Sequence, residues 1–216
     1  MEKFKTIIEK SVSAEIVEKK SKFIANLFFV DSAEEAENKI KELKKKFYDA
    51  RHNCFAYLIN NNNEIIKKSS DDGEPSGTAG APMLEILEKN NLANVLVVVT
   101  RYFGGILLGT GGLVRAYSDA LKSAIEKATW AIQEHGFEMQ IELGYSDFEN
   151  FKYYCGKHNI KIISIEYLDS ICCKIELNDI EKITLENDYE NQNNLKIKRI
   201  DNIRQKNVAC LSKDVD

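Results

Sequence analysis

The stretch "RYFGGILLGTGGLVRAY", residues 101–117, places five glycines within the nine positions from 104 to 112. It follows residues 95–99, an unbroken apolar run that is typical of a central strand covered on both faces. After it, apolar residues recur every three or four positions, as they do on the buried side of a helix. The sequence therefore predicts a strand, a glycine-rich loop and a helix in succession.

The composition is that of a folded protein with one unusual segment. The chain has 216 residues, 44% of them hydrophobic, which suffices for one large or two small cores. Eight of its 11 glycines and both prolines lie between positions 73 and 112. The five cysteines show no C-x-x-C pair and no metal-ligand spacing, and the longest apolar runs are too short to span a bilayer. We therefore expect a cytoplasmic protein with free thiols and with no metal ion, cofactor or membrane segment.

The charge is distributed unevenly along the chain. The net charge is −4; residues 1–134 carry 19 basic and 19 acidic side chains, whereas the remainder carries 11 and 15. Dedicated binders of duplex DNA usually have a basic domain, because phosphate neutralisation supplies most of their non-specific affinity. The charge balance therefore argues against bulk nucleic-acid binding and leaves room for a local basic patch.

The pattern of elements predicts an α+β protein with two domains, residues 1–132 and 133–216. The second follows the order βαββαβ, with strands near residues 160–167, 171–177 and 195–203. The first has two strands, a helix, two strands, a loop, a short helix, a strand, the glycine-rich loop and a long helix. Its first helix begins with a predicted capping box, in which Ser32 precedes Glu35 by three residues.

The glycine-rich loop has two possible explanations. A loop between a strand and the start of a helix presents free backbone N–H groups to an anion, and Arg101 and Arg115 would flank that anion as forked donors. Glycines also permit positive φ and close packing of a helix on a strand. Known phosphate-binding motifs do not decide between these explanations. Thr110 stands where a P-loop has lysine, and Val114 stands where a dinucleotide fingerprint has its third glycine.

Two further stretches carry candidate chemistry. In "SSDDGEPSGTAGAPM", residues 69–83, three carboxylates surround turn-forming residues, but their spacing is not that of a calcium loop. We favour a rigid turn whose acids pair with Arg51 or Arg101. His52 and Cys54 lie on one face of a strand, as a nucleophile and base would, yet no third orienting group is evident. They are interpreted as packed strand residues.

Three stretches, "ARHNCFAY", "SDDGEPSGTAGAPML" and "VVVTRYFGGILLGTGGLVRAYSDA", resemble the YigZ/IMPACT family, and the resemblance covers about residues 3–128. It implies a first domain similar to the second domain of ribosomal protein S-five and to domain four of elongation factor G. It also implies a ferredoxin-like second domain similar to domain five of that factor. The family-motif loop consists of Asp71, Asp72, Gly73, Glu74, Pro75, Gly77, Thr78 and Gly80.

The resemblance implies a translation-linked regulatory role. One hypothesis is therefore a regulatory or accessory protein that binds RNA or the ribosome. The alternative is an enzyme that acts on a small phosphorylated ligand bound at the glycine-rich loop. In both cases we expect an anion or nucleic-acid site at Arg51, Arg101, Gly104, Gly105, Gly109, Thr110, Gly111, Gly112 and Arg115. For RNA or the ribosome, Lys19, Lys20 and Lys22 would supplement this site.

Two expectations about substitutions follow from this site. Replacing Arg101 or Arg115 with alanine is expected to weaken binding with little loss of stability. Gly111→Ala is expected to cost about 1 kcal/mol or more, either because position 111 has positive φ or because the added methyl meets the ligand.

Overall fold

A computed structural model describes residues 4–9, 11–61, 64–191 and 195–210 of the chain. It is an α+β structure, as the sequence predicts. The chain divides into two compact units, Met1–Ile132 and Gln133–Cys210. No helix in the described ranges is both long and apolar enough to cross a membrane.

The first unit is built on an antiparallel sheet of five strands. In chain order its elements are β1 (Lys5–Ile7), β2 (Ser11–Glu18), β3 (Ser21–Phe29), α1 (Ala33–Lys46), β4 (His52–Asn61), β5 (Glu64–Ser70), α2 (Gly80–Lys89), β6 (Val95–Tyr102) and α3 (Gly109–Ile125). The sheet has the order β2-β3-β6-β4-β5. The three-residue strand β1 is too short to give a sequence pattern. It pairs with the first residues of β7 (Trp130–Leu143), the strand that follows α3.

Helices cover both faces of this sheet. On β6, Leu96 and Val98 belong to the core formed with α1, whereas Val95, Val97 and Val99 belong to the core formed with α2 and α3. Successive strand residues point to opposite faces, so a strand covered on both faces must be apolar throughout. The apolar run that precedes the glycine-rich loop is therefore the central strand, as predicted.

Helix α1 begins at its predicted N-cap, although only half of the capping box forms. The Ser32 hydroxyl accepts a hydrogen bond from the Glu35 backbone N–H at 3.2 Å. The Glu35 carboxylate accepts from the N–H of Asp31 at 2.9 Å, where a capping box would use the N–H of Ser32. Three lysines occupy the last turn, where positive charge favours the helix dipole.

The second unit has the predicted ferredoxin-like arrangement. After β7 come α4 (Phe148–Lys157), β8 (Lys161–Tyr167), β9 (Ile171–Asn178), α5 (Asp179–Glu190) and β10 (Ile197–Cys210). Strand β10 pairs with β7, β7 with β9, and β9 with β8. Cys173 is buried in the core of this sheet, as its place in the strand alternation indicates. A complete capping box, which the sequence analysis did not identify, joins Asn178 and Glu181 at the start of α5.

Candidate functional site

The predicted site residues of the first unit gather at one end of its sheet, which we call the loop end. Phe23, Arg101 and His52 form one row across β3, β6 and β4. Strand β6 runs antiparallel to both neighbours, so its C-terminal end meets the start of β3 and of β4. The β2–β3 turn, the glycine-rich loop, the start of β4 and the family-motif loop therefore all lie at the loop end.

Asp71 holds the family-motif loop in shape. Its carboxylate accepts backbone hydrogen bonds from Gly77 at 2.8 Å, Ala79 at 2.9 Å and Gly80 at 2.8 Å. Partial burial raises the pKa of Asp71, but the three N–H donors outweigh it and the pKa lies below its usual value. Two of these donors belong to the start of α2, where the N-cap residue itself offers no capping side chain. Asp71 thus caps a helix that begins nine residues later.

The neighbouring Asp72 joins three elements. Its carboxylate accepts from the backbone N–H of Asn53 at 2.8 Å and from the Lys44 ammonium at 2.5 Å. Its carbonyl oxygen lies 2.9 Å from Nδ1 of His52. The end of α1, the start of β4 and the family-motif loop are therefore connected through one residue. These bonds occupy the carboxylate of Asp72, one of the three carboxylates in this loop that were considered for a divalent ion.

The remaining residues of the family-motif loop shape its turns. Gly73 and Gly77 have φ values of +87° and +74°, in the left-handed region that favours glycine. The Thr78 hydroxyl donates to the carbonyl oxygen of Pro75 at 2.6 Å. The loop is thus a rigid turn, as its sequence favours. Of its three acids only Glu74 pairs with an expected arginine, Arg101, whereas Asp72 pairs with Lys44 and Asp71 accepts backbone N–H groups.

Glu74 and Arg101 form a buried ion pair. Arg101 is 5% exposed and Glu74 is 9% exposed, and Nη1 of the arginine lies 2.6 Å from Oε1 of the glutamate. The guanidinium also lies 5.4 Å from the ring centre of Phe23 and 5.5 Å from that of Phe103. The structure therefore places Arg101 inside the unit, where it holds the family-motif loop against β6. Arg51 and Arg115 remain exposed.

Cys54 and Tyr117 extend the same buried network. The Tyr117 hydroxyl donates to Oε1 of Glu74 at 2.9 Å, and Sγ of Cys54 lies 3.0 Å from the carbonyl oxygen of Asp71. Burial raises the pKa of the Cys54 thiol to about 12 and also raises the pKa of Tyr117. Cys54 is therefore a protonated packing residue at neutral pH, as its strand position suggests, since the thiolate is the reactive form.

The glycines of the glycine-rich loop have different structural roles. A Cβ on Gly104 would lie 2.0 Å from the carbonyl carbon of Lys20, so the close approach of two backbones requires glycine there. Gly105 and Gly109 have φ values of +84° and +73°. Gly111 has no positive φ, and a Cβ added to it would have no neighbour within 4 Å. A Cβ on Gly112 would lie 3.0 Å from that of Leu108. Packing and turn geometry thus explain Gly104, Gly105, Gly109 and Gly112 and leave Gly111 unexplained.

Helix α3 begins without a side-chain cap. Its N-cap residue, Leu108, makes no capping hydrogen bond, and its first turn contains no acidic residue. Gly109, Thr110 and Gly111 in that turn are exposed, and Gly112 is half-buried. The first N–H groups of a helix lack partners within it, and the helix dipole places partial positive charge there. This helix start is therefore suited to an anion, and Arg115 follows it on the exposed side.

Comparison with known proteins identifies a family and several relatives. A sequence profile of the Impact N-terminal domain matches residues 19–125, a span that contains every candidate site residue. The IMPACT family member YvyE of Bacillus subtilis is 52% identical over 51% of this chain and 51% of its own length. This chain thus spans about half of that relative. The IMPACT family member YigZ of Escherichia coli is 35% identical over 74% of this chain and 78% of its own.

A solved structure resembles the chain over nearly its whole length. It is described as the crystal structure of a hypothetical protein, with a TM-score of 0.62 and 29% sequence identity. The match covers 94% of this chain and 98% of that one, so both units of the fold are represented.

Proposed function

Because the chain belongs to the IMPACT family, we propose that it is a translation-linked regulatory protein that binds RNA or the ribosome at the loop end. The family resemblance supports the regulatory role. The phosphate site is supported by one observation above all, the uncapped start of α3 in a loop of exposed glycines. The protein would act in the cytoplasm, where its thiols stay reduced.

Local charge at the loop end favours an anion although the whole chain is acidic. Four carboxylates near the loop end already have a donor. Glu74 is paired with Arg101, Asp72 with Lys44, and Asp49 accepts from the Tyr102 hydroxyl at 2.9 Å. Asp71 accepts three backbone N–H groups. The pairs with Arg101 and Lys44 neutralise Glu74 and Asp72, so these two acids subtract little from the positive potential of the exposed arginines and the helix start.

The site is also rigid before any ligand arrives. The N–H of Gly104 donates to the hydroxyl of Ser21 at 3.2 Å, which holds the start of the glycine-rich loop against β3. The ion pair of Arg101 with Glu74 holds the family-motif loop against β6. Binding to a preformed loop requires little ordering of the backbone, so more of the interaction energy contributes to affinity.

The exposed arginines provide the direct test. Arg115→Ala and Arg51→Ala should each lower the affinity for a labelled single-stranded RNA about fivefold at about 0.1 M salt. Each should flatten the slope of log affinity against log salt by about 0.7, since one phosphate contact is lost. Fluorescence anisotropy over a salt series measures both values, and co-sedimentation tests binding to ribosomes.

Lys127→Ala is the matched control, because this exposed lysine follows the opposite end of α3. It should bind RNA as the parent does, and all three variants should keep the parent's melting temperature. Parental binding of RNA and ribosomes by both arginine variants would refute the proposal. Stabilisation by small phosphorylated metabolites in a thermal-shift screen, without RNA binding, would favour the alternative of an enzyme.

A further inference from the structure

The turn between β2 and β3 has an unusual backbone for its sequence. Glu18 pairs with Ser21, so Lys19 and Lys20 are the two central residues of a two-residue hairpin turn. Their φ values are +45° and +65°. Positive φ at both positions is the geometry of a type I′ turn, for which Asn-Gly is the favoured sequence. Two lysines there are a poor choice for stability, because a Cβ disfavours this region and the adjacent ammonium groups repel each other.

This turn is part of the loop end. The carbonyl of Lys20 packs so closely on Gly104 that no side chain fits between them. The next residue, Ser21, accepts hydrogen bonds from the N–H of Gly104 at 3.2 Å and from Nη2 of Arg101 at 3.4 Å. The turn therefore forms one wall of the glycine-rich loop.

The two lysines of the turn are available to a ligand. Both are exposed, and within the described ranges neither side chain has an ion pair or hydrogen bond. Lys22, two residues further on, differs, because its ammonium lies 2.7 Å from the Glu15 carboxylate. The nearest acid along the chain is the exposed Glu18, which precedes the turn.

We propose that Lys19 and Lys20 each contact a phosphate and that the ligand of the loop end is a polyanionic chain, the backbone of an RNA strand. This inference rests on the phosphate site proposed above and extends it across the sheet. Strands β3 and β4 flank β6, so the backbones that carry the turn and Arg51 are separated by about 10 Å, two strand spacings. Positive charge is thus spread across the width of three strands, which suits the successive phosphates of one RNA strand.

Three double variants separate charge from backbone strain. Lys19→Gln with Lys20→Gln removes both charges and keeps side chains in the turn. Lys19→Arg with Lys20→Arg keeps both charges. Lys19→Asn with Lys20→Gly removes the charges and supplies the sequence that a type I′ turn favours. Each is measured in the full chain by anisotropy with single-stranded RNA over a salt series and by thermal melting.

The glutamine pair should bind RNA about 25-fold more weakly at about 0.1 M salt, with a salt slope reduced by about 1.4, because two phosphate contacts are lost. The arginine pair should bind as the parent does. The Asn-Gly pair should lose the same affinity while its melting temperature rises above the parent's.

Two results would overturn the inference: parental RNA binding by the glutamine pair, or a lower melting temperature for the Asn-Gly pair. If Arg115→Ala weakens binding and the glutamine pair does not, the inference about the turn fails and the proposed function stands. If neither set of variants weakens binding, both fail.

Discussion

Arg101 shows how a buried charge holds a loop in place. Its guanidinium pairs with Glu74, which also accepts the hydroxyl of Tyr117. Removing one partner of a buried ion pair leaves the other charge without compensation, at a cost of about 3 to 5 kcal/mol. The sequence-based expectation that Arg101→Ala leaves stability nearly unchanged is therefore corrected by its burial.

We predict that Arg101→Ala lowers the free energy of unfolding by about 3 to 5 kcal/mol, as does Glu74→Ala. The double variant should lose clearly less than the sum, because neither charge is then left buried alone. Urea denaturation of the parent and the three variants measures the coupling. Arg115→Ala is the control and should change stability little, because this arginine is exposed. An Arg101→Ala variant as stable as the parent would contradict the assigned role.

We predict that the buried thiol of Cys54 lowers the free energy of unfolding in alkali. Burial raises the pKa of its thiol to about 12 from the ordinary value of 9.0, so the folded state holds the proton more tightly than the unfolded state. This contribution is fully present below pH 9 and is lost as the pH rises from 9 towards 12. Between these limits each pH unit removes about 1.4 kcal/mol.

The measurement is the urea midpoint of the parent and of Cys54→Ala from neutral pH into alkali. The alanine variant should be less stable at neutral pH and should lose stability less steeply above pH 9, the thiol's ordinary pKa. Cys155 and Cys173, whose thiol pKa values burial also raises, contribute equally to both proteins. Rapid alkylation of Cys54 in the folded protein at neutral pH would show that the thiol is not held protonated.

At the scale of elements, the glycine-rich loop contains glycines that differ in kind. Gly104 is required by the backbone of the β2–β3 turn, whereas the Cβ position of Gly111 is open. The expected cost of about 1 kcal/mol for Gly111→Ala is therefore corrected as far as it rests on positive φ, and a cost through contact with a ligand stays a prediction. In an exposed first helical turn, alanine is at least as favourable as glycine.

We predict that Gly104→Ala destabilises the protein strongly and that Gly111→Ala keeps or raises the melting temperature. Only a ligand that approaches the backbone would make Gly111→Ala harmful, by lowering RNA affinity. Thermal melting and anisotropy on the two variants measure these effects. A Gly104→Ala protein with the parent's melting temperature would refute the close backbone approach. Parental RNA binding by Gly111→Ala would show that the ligand does not contact that turn.

At the scale of the whole molecule, we predict that residues 133–216 fold without the first domain. The second unit has its own apolar core, in which Met139, Ile141, Phe151, Ile175 and Leu185 are buried. Expressed alone, this fragment should show dispersed amide signals and cooperative urea unfolding. The fragment 1–132, the first domain, is measured in the same way. A 133–216 fragment that lacks cooperative unfolding would contradict the division into independent domains.

Local patterns in the sequence determine much of the fold. The period of the apolar residues identifies α1 and α3, and the uninterrupted run identifies β6 as the central strand. The order of strands and helices after residue 133 predicts the ferredoxin-like sheet. These features depend on neighbours within a few positions, because side-chain periodicity arises from the backbone geometry of each element.

The roles of the site residues depend on the tertiary structure. The sequence places Arg101 and Arg115 alike beside the glycine-rich loop, but only the packing of β3, β4 and the family-motif loop buries one and leaves the other exposed. Likewise, Asp71 caps α2 from nine residues away, and Gly104 is needed because Lys20 lies against it. Hydrogen bonding, burial and steric contact act between atoms that are near in space, and residues distant in the chain determine which atoms those are.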